Sequence, residues 1–436
     1  MRPTSDSRFV AWFRSVAPYI HAHQGKTFVI GCAGEVLAGG GFIGLTHDLA
    51  LLNSLGIRVV VVHGARPQID AQLAARKAPA RYSGGLRITD ETALECVKQA
   101  VGILRVEIEA QLSVGLPNSL AQIRIAGGSF ITAMPLGVLR GVDFQYTGKV
   151  RKVDVVGIQR VLDQGAIVLL SPLGYSPTGE VFNLAMEDVA TSVAISLNAA
   201  KLIFLSGEKG ILDEEGTLLR ALTAKEAERA AKNPGPMSEE TLRYIECSVR
   251  ACRQGVARVH LVSRKSDGAA LLELFTRDGV GSMVTAGSLE ILRTAQIEDV
   301  GGLLALIEPL EDEGVLVKRG REMLEMEVDR FVALEHDRMI TGCAALYPFP
   351  DGRSAELACL AVHPDFRNRG GGDRLLGEIE NRARAQKIKR LFVLTTQTAH
   401  WFLERGFSRS AIEALPKQKR SLYNYQRRSQ VFVKKL

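Results

Sequence analysis

A chain of 436 residues, 46% of them hydrophobic and 24% charged, is long enough for two or three domains and has the composition of a globular protein. No apolar run reaches the roughly 18 residues of a membrane-spanning helix, and the first residues lack the apolar core of a signal peptide. We therefore expect no membrane partner. The six cysteines show neither CxxC pairs nor metal-site spacing, which predicts a cytoplasmic protein without a metal.

The net charge of +7 is concentrated at the C-terminal end of the chain. Residues 416–436 contain seven lysines and arginines and no acid, so this segment alone equals the excess. A short basic segment favours a small anionic ligand, and we expect no nucleic-acid partner. The alternative is a solvated basic strand and loop.

The first two thirds of the chain alternate between predicted helices and strands. Residues 9–23 have apolar side chains at helical spacing, and Pro18 is expected to end or kink this first helix. The strands are predicted at 26–32, 58–63, 122–126, 166–171, 201–206 and 258–262, and further helices at 42–55, 92–111, 156–164, 186–197 and 268–275. This alternation predicts an α/β fold with a mainly parallel sheet covered on both faces.

A short join at residues 285–288 leads into a region with a different order of elements. Strands are predicted at 289–295, 331–335, 339–346, 354–362, 390–395 and 431–434, and helices at 297–307, 321–328 and 399–405. The strand at 354–362 is followed by Pro364, a glycine-rich stretch and a further helix. Glycines at a helix start let a phosphate approach the free N–H groups of the first turn, although such a cluster can also be only a turn.

The run Arg367-x-x-Gly370-x-Gly372 after a strand and a proline resembles the acetyl-CoA pyrophosphate loop of the GNAT acetyltransferases. In that superfamily the preceding strand diverges from its neighbour, and its backbone holds the pantetheine arm. The resemblance implies acetyl-CoA as a co-substrate, bound by Leu360, Ala361, Val362, Arg367, Arg369, Gly370, Gly371, Gly372 and Asp373. One departure is Gly371, where many members have an apolar residue.

Acetyl transfer to an amine needs a base for the amine proton and a donor for the leaving thiolate. Glu356 is the predicted base, unless it is only a solvated carboxylate at a strand end, and Thr395 is the predicted partner of the thiolate. Many GNAT enzymes have a tyrosine acid where this chain has Phe402. For Cys359, near the expected acetyl position, we favour a lining role over a covalent one.

The stretch from Val59 to Ile69, with 85–90, Asn183 and 273–281, resembles the amino-acid kinase fold, and acetylglutamate kinase most closely. The resemblance implies a three-layer αβα domain. The residues that perform phosphoryl transfer in that family are replaced, because its first-strand lysine falls near Gly31 and its catalytic aspartate at Glu187. Part of its second glycine loop is Ala65-Arg66, and its late lysine near 236–240 is missing. We therefore expect little kinase activity.

Five residues are similar to the arginine-binding region of arginine-sensitive acetylglutamate kinases: Tyr19, His260, Glu273, Gly279 and Gly281. The resemblance implies that Glu273 pairs with a guanidinium group and that loop amides hold an α-carboxylate. The alternative is a core histidine and a solvated glutamate.

Two further segments, 309–319 and 422–429, resemble the N-acetylglutamate synthase family. They imply a glutamate pocket formed by Lys318, Arg319, Cys359, Arg427, Arg428 and Ser429. Arginine side chains suit this substrate because each can bind a carboxylate with two hydrogen bonds.

The combination of domains also resembles that family, with an inactive, arginine-sensing and oligomerising kinase-like domain at 1–284 and a GNAT α/β domain at 289–436. It implies L-glutamate as substrate, L-arginine as effector and a homo-oligomer, by resemblance a hexamer. Rivals stay open: an active amino-acid kinase with an appended acetyltransferase, an acetyltransferase for another amine or a protein lysine, and a nucleic-acid-binding regulator that uses the basic C-terminal segment.

Overall fold

The computed structural model describes residues 5–38, 42–116, 123–276, 278–287, 290–336, 339–368, 370–421, 423 and 428–436. The chain divides into two compact units, Met1–Gly287 and Ser288–Leu436, with the boundary inside the join expected at 285–288. None of the described helices is both long and apolar enough to cross a membrane. Among the same residues, no group of three or more His, Cys, Asp or Glu side chains is placed to hold a metal ion.

The N-terminal unit alternates helices and strands. Its described helices are α1 (Ser5–His23), α2 (Gly34–Ala38), α3 (Phe42–Ser54), α4 (Arg66–Ala75), α5 (Glu91–Ser113), α6 (Val155–Asp163), α7 (Met186–Ser196), α8 (Ala224–Lys232), α9 (Glu239–Arg253) and α10 (Ala269–Phe275). Its described strands are β1 (Thr27–Cys32), β2 (Arg58–His63), β3 (Tyr82–Ser83), β4 (Leu86–Arg87), β5 (Ile125–Gly127), β6 (Ile131–Pro135), β7 (Val138–Leu139), β8 (Val142–Asp143), β9 (Gly148–Val153), β10 (Ile167–Leu170), β11 (Leu173–Tyr175), β12 (Val181–Asn183), β13 (Lys201–Ser206), β14 (Ala221–Thr223), β15 (Arg258–Ser263) and β16 (Ser282–Thr285).

The main sheet of this unit has the strand order β14-β16-β15-β13-β1-β2-β10-β5. Neighbouring strands are parallel, apart from the antiparallel pair β15 and β16. Successive residues of β2 enter different cores: Val60 and Val62 pack on one side of the sheet, and Val59 and Val61 on the other. Side chains alternate between the two faces along a strand. Since all four valines are buried, both faces of the sheet are covered by helices, as the run of valines predicts.

Several features of this unit differ from the expectations. Helices α4, α8 and α9, and strands β14 and β16 of the main sheet, were not predicted. A second sheet, in the order β12-β11-β6-β9, was not predicted, because its strands are short and β9 carries exposed basic residues such as Lys149 and Arg151. Helix α1 continues through Pro18 to His23, so this proline does not end it.

The C-terminal unit is built on one mixed sheet. Its described elements are β17 (Glu290–Thr294), α11 (Val300–Asp312), α12 (Arg321–Met326), β18 (Phe331–His336), β19 (Met339–Pro348), β20 (Ser354–Val362), α13 (Gly371–Ala385), β21 (Arg390–Thr395), α14 (Ala399–Leu403), β22 (Ser408–Ser410), α15 (Lys417–Ser421) and β23 (Gln430–Lys435). The strand order is β17-β18-β19-β20-β21-β23-β22. Leu375 and Ile379 on α13 are fully buried against it, at the predicted helical spacing.

Strand β20 diverges from its parallel neighbour. It pairs with β19 along its length, but with β21 only over Ser354–Glu356, opposite Arg390–Phe392. The register with β19 shifts near Cys359, whose φ of +49° is unusual for a residue other than glycine. Beyond Glu356 the two strands therefore leave a gap between them.

Candidate active site

The gap between β20 and β21 is part of a cavity of about 1420 Å³ in the C-terminal unit. The predicted site residues on its wall are Lys318, Arg319, Glu356, Cys359, Leu360, Ala361, Val362, Arg367, Gly370, Gly371, Gly372, Asp373, Thr395 and Ser429. Arg369 and Arg427 lie outside the described residues. The strand, the glycine loop and the C-terminal segment thus meet at one cavity.

Arg428 does not line this cavity, contrary to its assignment to a substrate pocket. Its φ of +51° turns the chain just before β23, and its side chain is exposed. The neighbouring Ser429 is buried and lies on the cavity wall. Asp373 lies on the wall, but Arg405 donates hydrogen bonds to its carboxylate and lowers its pKa.

The first turn of α13 faces the cavity without a side-chain cap. Gly370 occupies the N-cap position with a φ of +77°, a conformation that favours glycine. The first N–H groups of a helix have no acceptor within it and carry partial positive charge. A β-carbon at Gly372 would lie 3.1 Å from Cζ2 of Trp401, so glycine also keeps this wall open. The arrangement suits a phosphate group.

Glu356 is the carboxylate at the point where the strands separate. It is 8% exposed, and its Oε2 accepts a hydrogen bond from Nζ of Lys419 at 2.7 Å. Lys419 lies on α15 and also lines the cavity. Sequence reasoning missed Lys419 as a site residue, and its only signal was its place in the basic C-terminal segment.

Thr395 ends β21 and lines the same cavity. Its Oγ1 accepts hydrogen bonds from the backbone N–H groups of Thr398 (3.1 Å) and Gln397 (3.3 Å) and lies 2.9 Å from Oγ1 of Thr398. These contacts fix the position of the hydroxyl oxygen. Phe402 is buried, and the phenol on the wall belongs instead to Tyr423, which the sequence did not single out as an acid. Its hydroxyl donates to the backbone oxygen of Ser429.

Cys359 is buried beside the cavity. Burial raises the pKa of its thiol to about 11, so the thiol is protonated at neutral pH. Because the thiolate is the nucleophilic form, this environment agrees with a lining role.

The N-terminal unit has a separate cleft of about 380 Å³ at the carboxyl ends of its central strands. Its wall includes Gly34, Gly64, Ala65, Arg66 and Glu187. A β-carbon at Gly31 would lie 2.9 Å from Sδ of Met186 and 3.0 Å from Cδ1 of Phe204. Glu187 is paired with Arg243 at 2.6 Å. A lysine side chain at position 31 would therefore have to displace buried neighbours.

A buried polar cluster lies near α10 in the same unit. Oε1 of Glu273 is 2.7 Å from Nδ1 of His260, and its Oε2 accepts hydrogen bonds from the N–H groups of Val280 and Gly281 at 2.8 Å each. Nε2 of His260 is 3.0 Å from Nζ of Lys201. Since a carboxylate only accepts and an ammonium only donates, His260 is neutral and protonated on Nδ1.

The cluster brings together most of the predicted arginine-site residues, but with a different role for the loop. Loop amides were expected to hold a ligand's carboxylate, but the N–H groups of Val280 and Gly281 in this loop donate to Glu273 itself. Gly279 has a φ of +58°, and a β-carbon there would lie 2.4 Å from Glu273. Tyr19 packs against the apolar core that contains residues of α10.

The chain matches two known domain families, one in each of its units. The profile of the Amino acid kinase family matches residues 26–263, and that of the Acetyltransferase (GNAT) family matches residues 303–407. The amino-acid acetyltransferase of Azotobacter vinelandii is 54% identical over 98% of this chain and 99% of its own length. The chain belongs to the amino-acid acetyltransferase family. The family member from Pseudomonas aeruginosa is 52% identical over the same shares of both chains.

A solved structure covers both units of this acetyltransferase. N-acetylglutamate synthase from Neisseria gonorrhoeae, complexed with coenzyme A and L-arginine, is 41% identical with a TM-score of 0.90, over 98% of this chain and 99% of that one. The same synthase complexed with coenzyme A and N-acetyl-glutamate is 42% identical with a TM-score of 0.63, over the same shares. The predicted fold class, an amino-acid-kinase domain followed by a GNAT domain, is confirmed.

The stability of this acetyltransferase is expected to fall in mild acid because of two buried histidines. Burial lowers the pKa of His63 and of His260 from 6.5 to about 4, and Lys201 adds to the effect at His260. Between these values the unfolded chain binds protons that the folded chain does not. Lowering the pH from 7 to 5 should therefore reduce the free energy of unfolding by roughly 2 kcal/mol for each histidine.

Denaturant titrations that follow the N-terminal unit at both pH values measure this loss. In the variant His260→Gln the loss should be about half as large. Equal stability of the unchanged protein at pH 7 and pH 5 would contradict the prediction.

Proposed function

We propose that the enzyme transfers the acetyl group of acetyl-CoA to the α-amine of L-glutamate, giving N-acetyl-L-glutamate and coenzyme A. The observation that carries this proposal is the gap between β20 and β21, which joins an uncapped helix start to a buried carboxylate in one cavity. The gonococcal synthase complexed with coenzyme A and N-acetyl-glutamate contains both products of this reaction, which supports the choice of substrate.

The reaction is a direct attack within a complex of both substrates. Glu356 takes the proton of the incoming amine, whose nitrogen bonds to the thioester carbonyl carbon as the carbon–sulfur bond breaks. Thr395 donates a hydrogen bond to the departing thiolate. The backbone of Leu360, Ala361 and Val362 holds the pantetheine arm.

The diphosphate of the donor binds at the start of α13. The residues proposed for it are Arg367, Arg369, Gly370, Gly371, Gly372 and Asp373. Most of this binding energy comes from helix N–H groups and arginines, because the carboxylate of Asp373 is already bound to Arg405.

The two carboxylates of glutamate bind at the other end of the cavity. The residues proposed for this pocket are Lys318, Arg319, Cys359, Arg427 and Ser429, with Arg428 reaching it only if its exposed side chain turns inward. The guanidinium group of Arg319 donates a hydrogen bond to the backbone oxygen of Val317 at 3.0 Å and lies over the ring of Tyr347. A charge fixed in this way can orient the substrate amine toward Glu356.

The N-terminal domain, residues 1–284, is proposed to bind L-arginine and to assemble a cytoplasmic homo-oligomer, with a hexamer as the specific form. The gonococcal synthase was solved with L-arginine bound, which supports an effector site. The proposed arginine residues are Tyr19, His260, Glu273, Gly279 and Gly281. The filled space around Gly31 supports a domain without kinase activity.

Thiol release from acetyl-CoA tests the proposal. The purified enzyme should release coenzyme A with L-glutamate and not with other amino acids, and L-arginine should change that rate. Release with another amine alone would contradict the glutamate pocket. Phosphorylation of N-acetylglutamate by ATP would favour the kinase rival, and binding to nucleic acid with steep salt dependence would favour the macromolecular one.

A further inference from the structure

Lys419 places a primary amine inside the acetyl-transfer cavity. Its Nζ donates to Oε2 of Glu356 at 2.7 Å, and the two side chains are only 24% and 11% exposed. Lys318, another lysine on the same wall, is 78% exposed and pairs with Asp312 at 3.4 Å. Lys419 is therefore the more enclosed of these two amines and the one held against the proposed base.

The position of Lys419 matches what the reaction demands of its acceptor. A general base must lie within hydrogen-bond distance, about 2.6–3.2 Å, of the nitrogen whose proton it takes. Nζ of Lys419 lies within this distance of Oε2 of Glu356. The nitrogen of a bound glutamate needs the same place, so the two amines compete for one carboxylate.

We propose that Lys419 is itself an acetyl acceptor, modified by bound acetyl-CoA when glutamate is absent. This inference rests on the proposed function, because it uses the same donor and the same base. Glu356 removes a proton from the Lys419 ammonium, and the freed nitrogen bonds to the thioester carbonyl carbon. The carbon–sulfur bond breaks, and the second proton lost from the nitrogen balances the thiol formed on coenzyme A. The product is Nε-acetyl-Lys419, in which a neutral amide replaces a cation.

Two features set the expected behaviour of this modification. A lysine ammonium has no free electron pair and must lose a proton before it can attack, and Lys419 is also held in its hydrogen bond to Glu356, so self-acetylation is expected to be slower than turnover of glutamate. Glutamate displaces Lys419 from Glu356, so saturating glutamate should slow the modification by at least about tenfold if the sites coincide.

Lys417 is a matched control for Lys419. It lies on the same short helix, is exposed and does not line the cavity. Chemical acetylation in solution would modify Lys417 at least as fast as Lys419, whereas the proposed reaction selects Lys419.

To test this, the protein is incubated with acetyl-CoA, and the acetylated lysines are mapped over time by peptide mass spectrometry. Acetylation of Lys419 is expected to exceed that of Lys417, to be slowed by glutamate and to fall at least about tenfold in Glu356→Gln. Lys419→Arg, which retains the charge, should remove the modification, and Lys417→Arg should leave its rate unchanged.

The same preparation is assayed for N-acetylglutamate. If the protein makes N-acetylglutamate from glutamate but Lys419 stays unmodified after incubation with acetyl-CoA alone, this inference is overturned and the proposed function is left intact. Equal modification of Lys417 and Lys419, or an unchanged rate in Glu356→Gln, would also overturn it. Absence of both products would count against the proposed function as well.

Discussion

Replacing Glu356 with glutamine is expected to lower kcat by about 10²- to 10⁴-fold, the usual contribution of a positioned general base. Glutamine has the same shape but cannot take a proton from the substrate ammonium. KM for acetyl-CoA should change little, because the donor binds through β20 and the start of α13. Thiol release at saturating glutamate and acetyl-CoA measures the loss.

Glu380 provides a matched control for this variant. Like Glu356 it is 8% exposed and paired with a lysine, Nζ of Lys434, at 2.6 Å, but it does not line the cavity. Glu380→Gln should lower the unfolding temperature and leave kcat within about twofold. If Glu356→Gln retains a large part of the activity, or if both variants lose it equally, Glu356 is not the base.

Replacing Glu273 with glutamine should weaken the response to L-arginine by roughly tenfold to a hundredfold. A hydrogen bond to a charged group contributes about 1.5–3 kcal/mol, and 1.4 kcal/mol corresponds to a factor of ten in affinity. The quantity to measure is the arginine concentration that gives half of the full change in rate. Activity without arginine should be retained, because Glu273 belongs to the N-terminal unit and not to the acetyl-transfer cavity.

A control for this variant has to separate affinity from folding. Glu240 lies in the same unit and holds Arg264 through both carboxylate oxygens, but it belongs to the other cleft. Glu240→Gln should leave the arginine titration unchanged. An amide at position 273 cannot accept both from Nδ1 of His260 and from the N–H groups of Val280 and Gly281, so unfolding of both variants is compared first. Superimposable titrations of Glu273→Gln and the unchanged protein would exclude Glu273 from the effector site.

The sequence predicted the buried strands and the glycine loop because their signals are local. The run from Val59 to Val62 reads as a strand without reference to any other part of the chain. The strands predicted after residue 289 likewise all belong to the sheet that contains the cavity, although β22 and α15 were not predicted. Glu356 was proposed as the base in the same way, as a carboxylate near the start of the strand that precedes the loop, and this role stays a prediction.

What the sequence did not predict depends on contacts between distant segments. Lys419 lies on α15 and contacts Glu356 near the start of β20, and no spacing rule links the two residues. The same holds for Glu273. Its carboxylate was expected to pair with a guanidinium group, and it accepts hydrogen bonds from the N–H groups of Val280 and Gly281. The residue type was enough to propose a chemical role for each residue, but only the three-dimensional structure shows which residues it contacts.

The sheet of the C-terminal unit consists of two parts. They pair with each other only over the three residue pairs between β20 and β21. One part ends at β20 and the other begins at β21. Apart from the three residue pairs, the two parts are held together by the apolar core that includes Leu334, Leu391 and Phe432. A pantetheine arm that hydrogen-bonds to the open edge of β20 would add contacts between these two parts of the sheet. The bound donor would then stabilise the domain. Its release would weaken the contacts between the strands that carry Glu356 and Thr395.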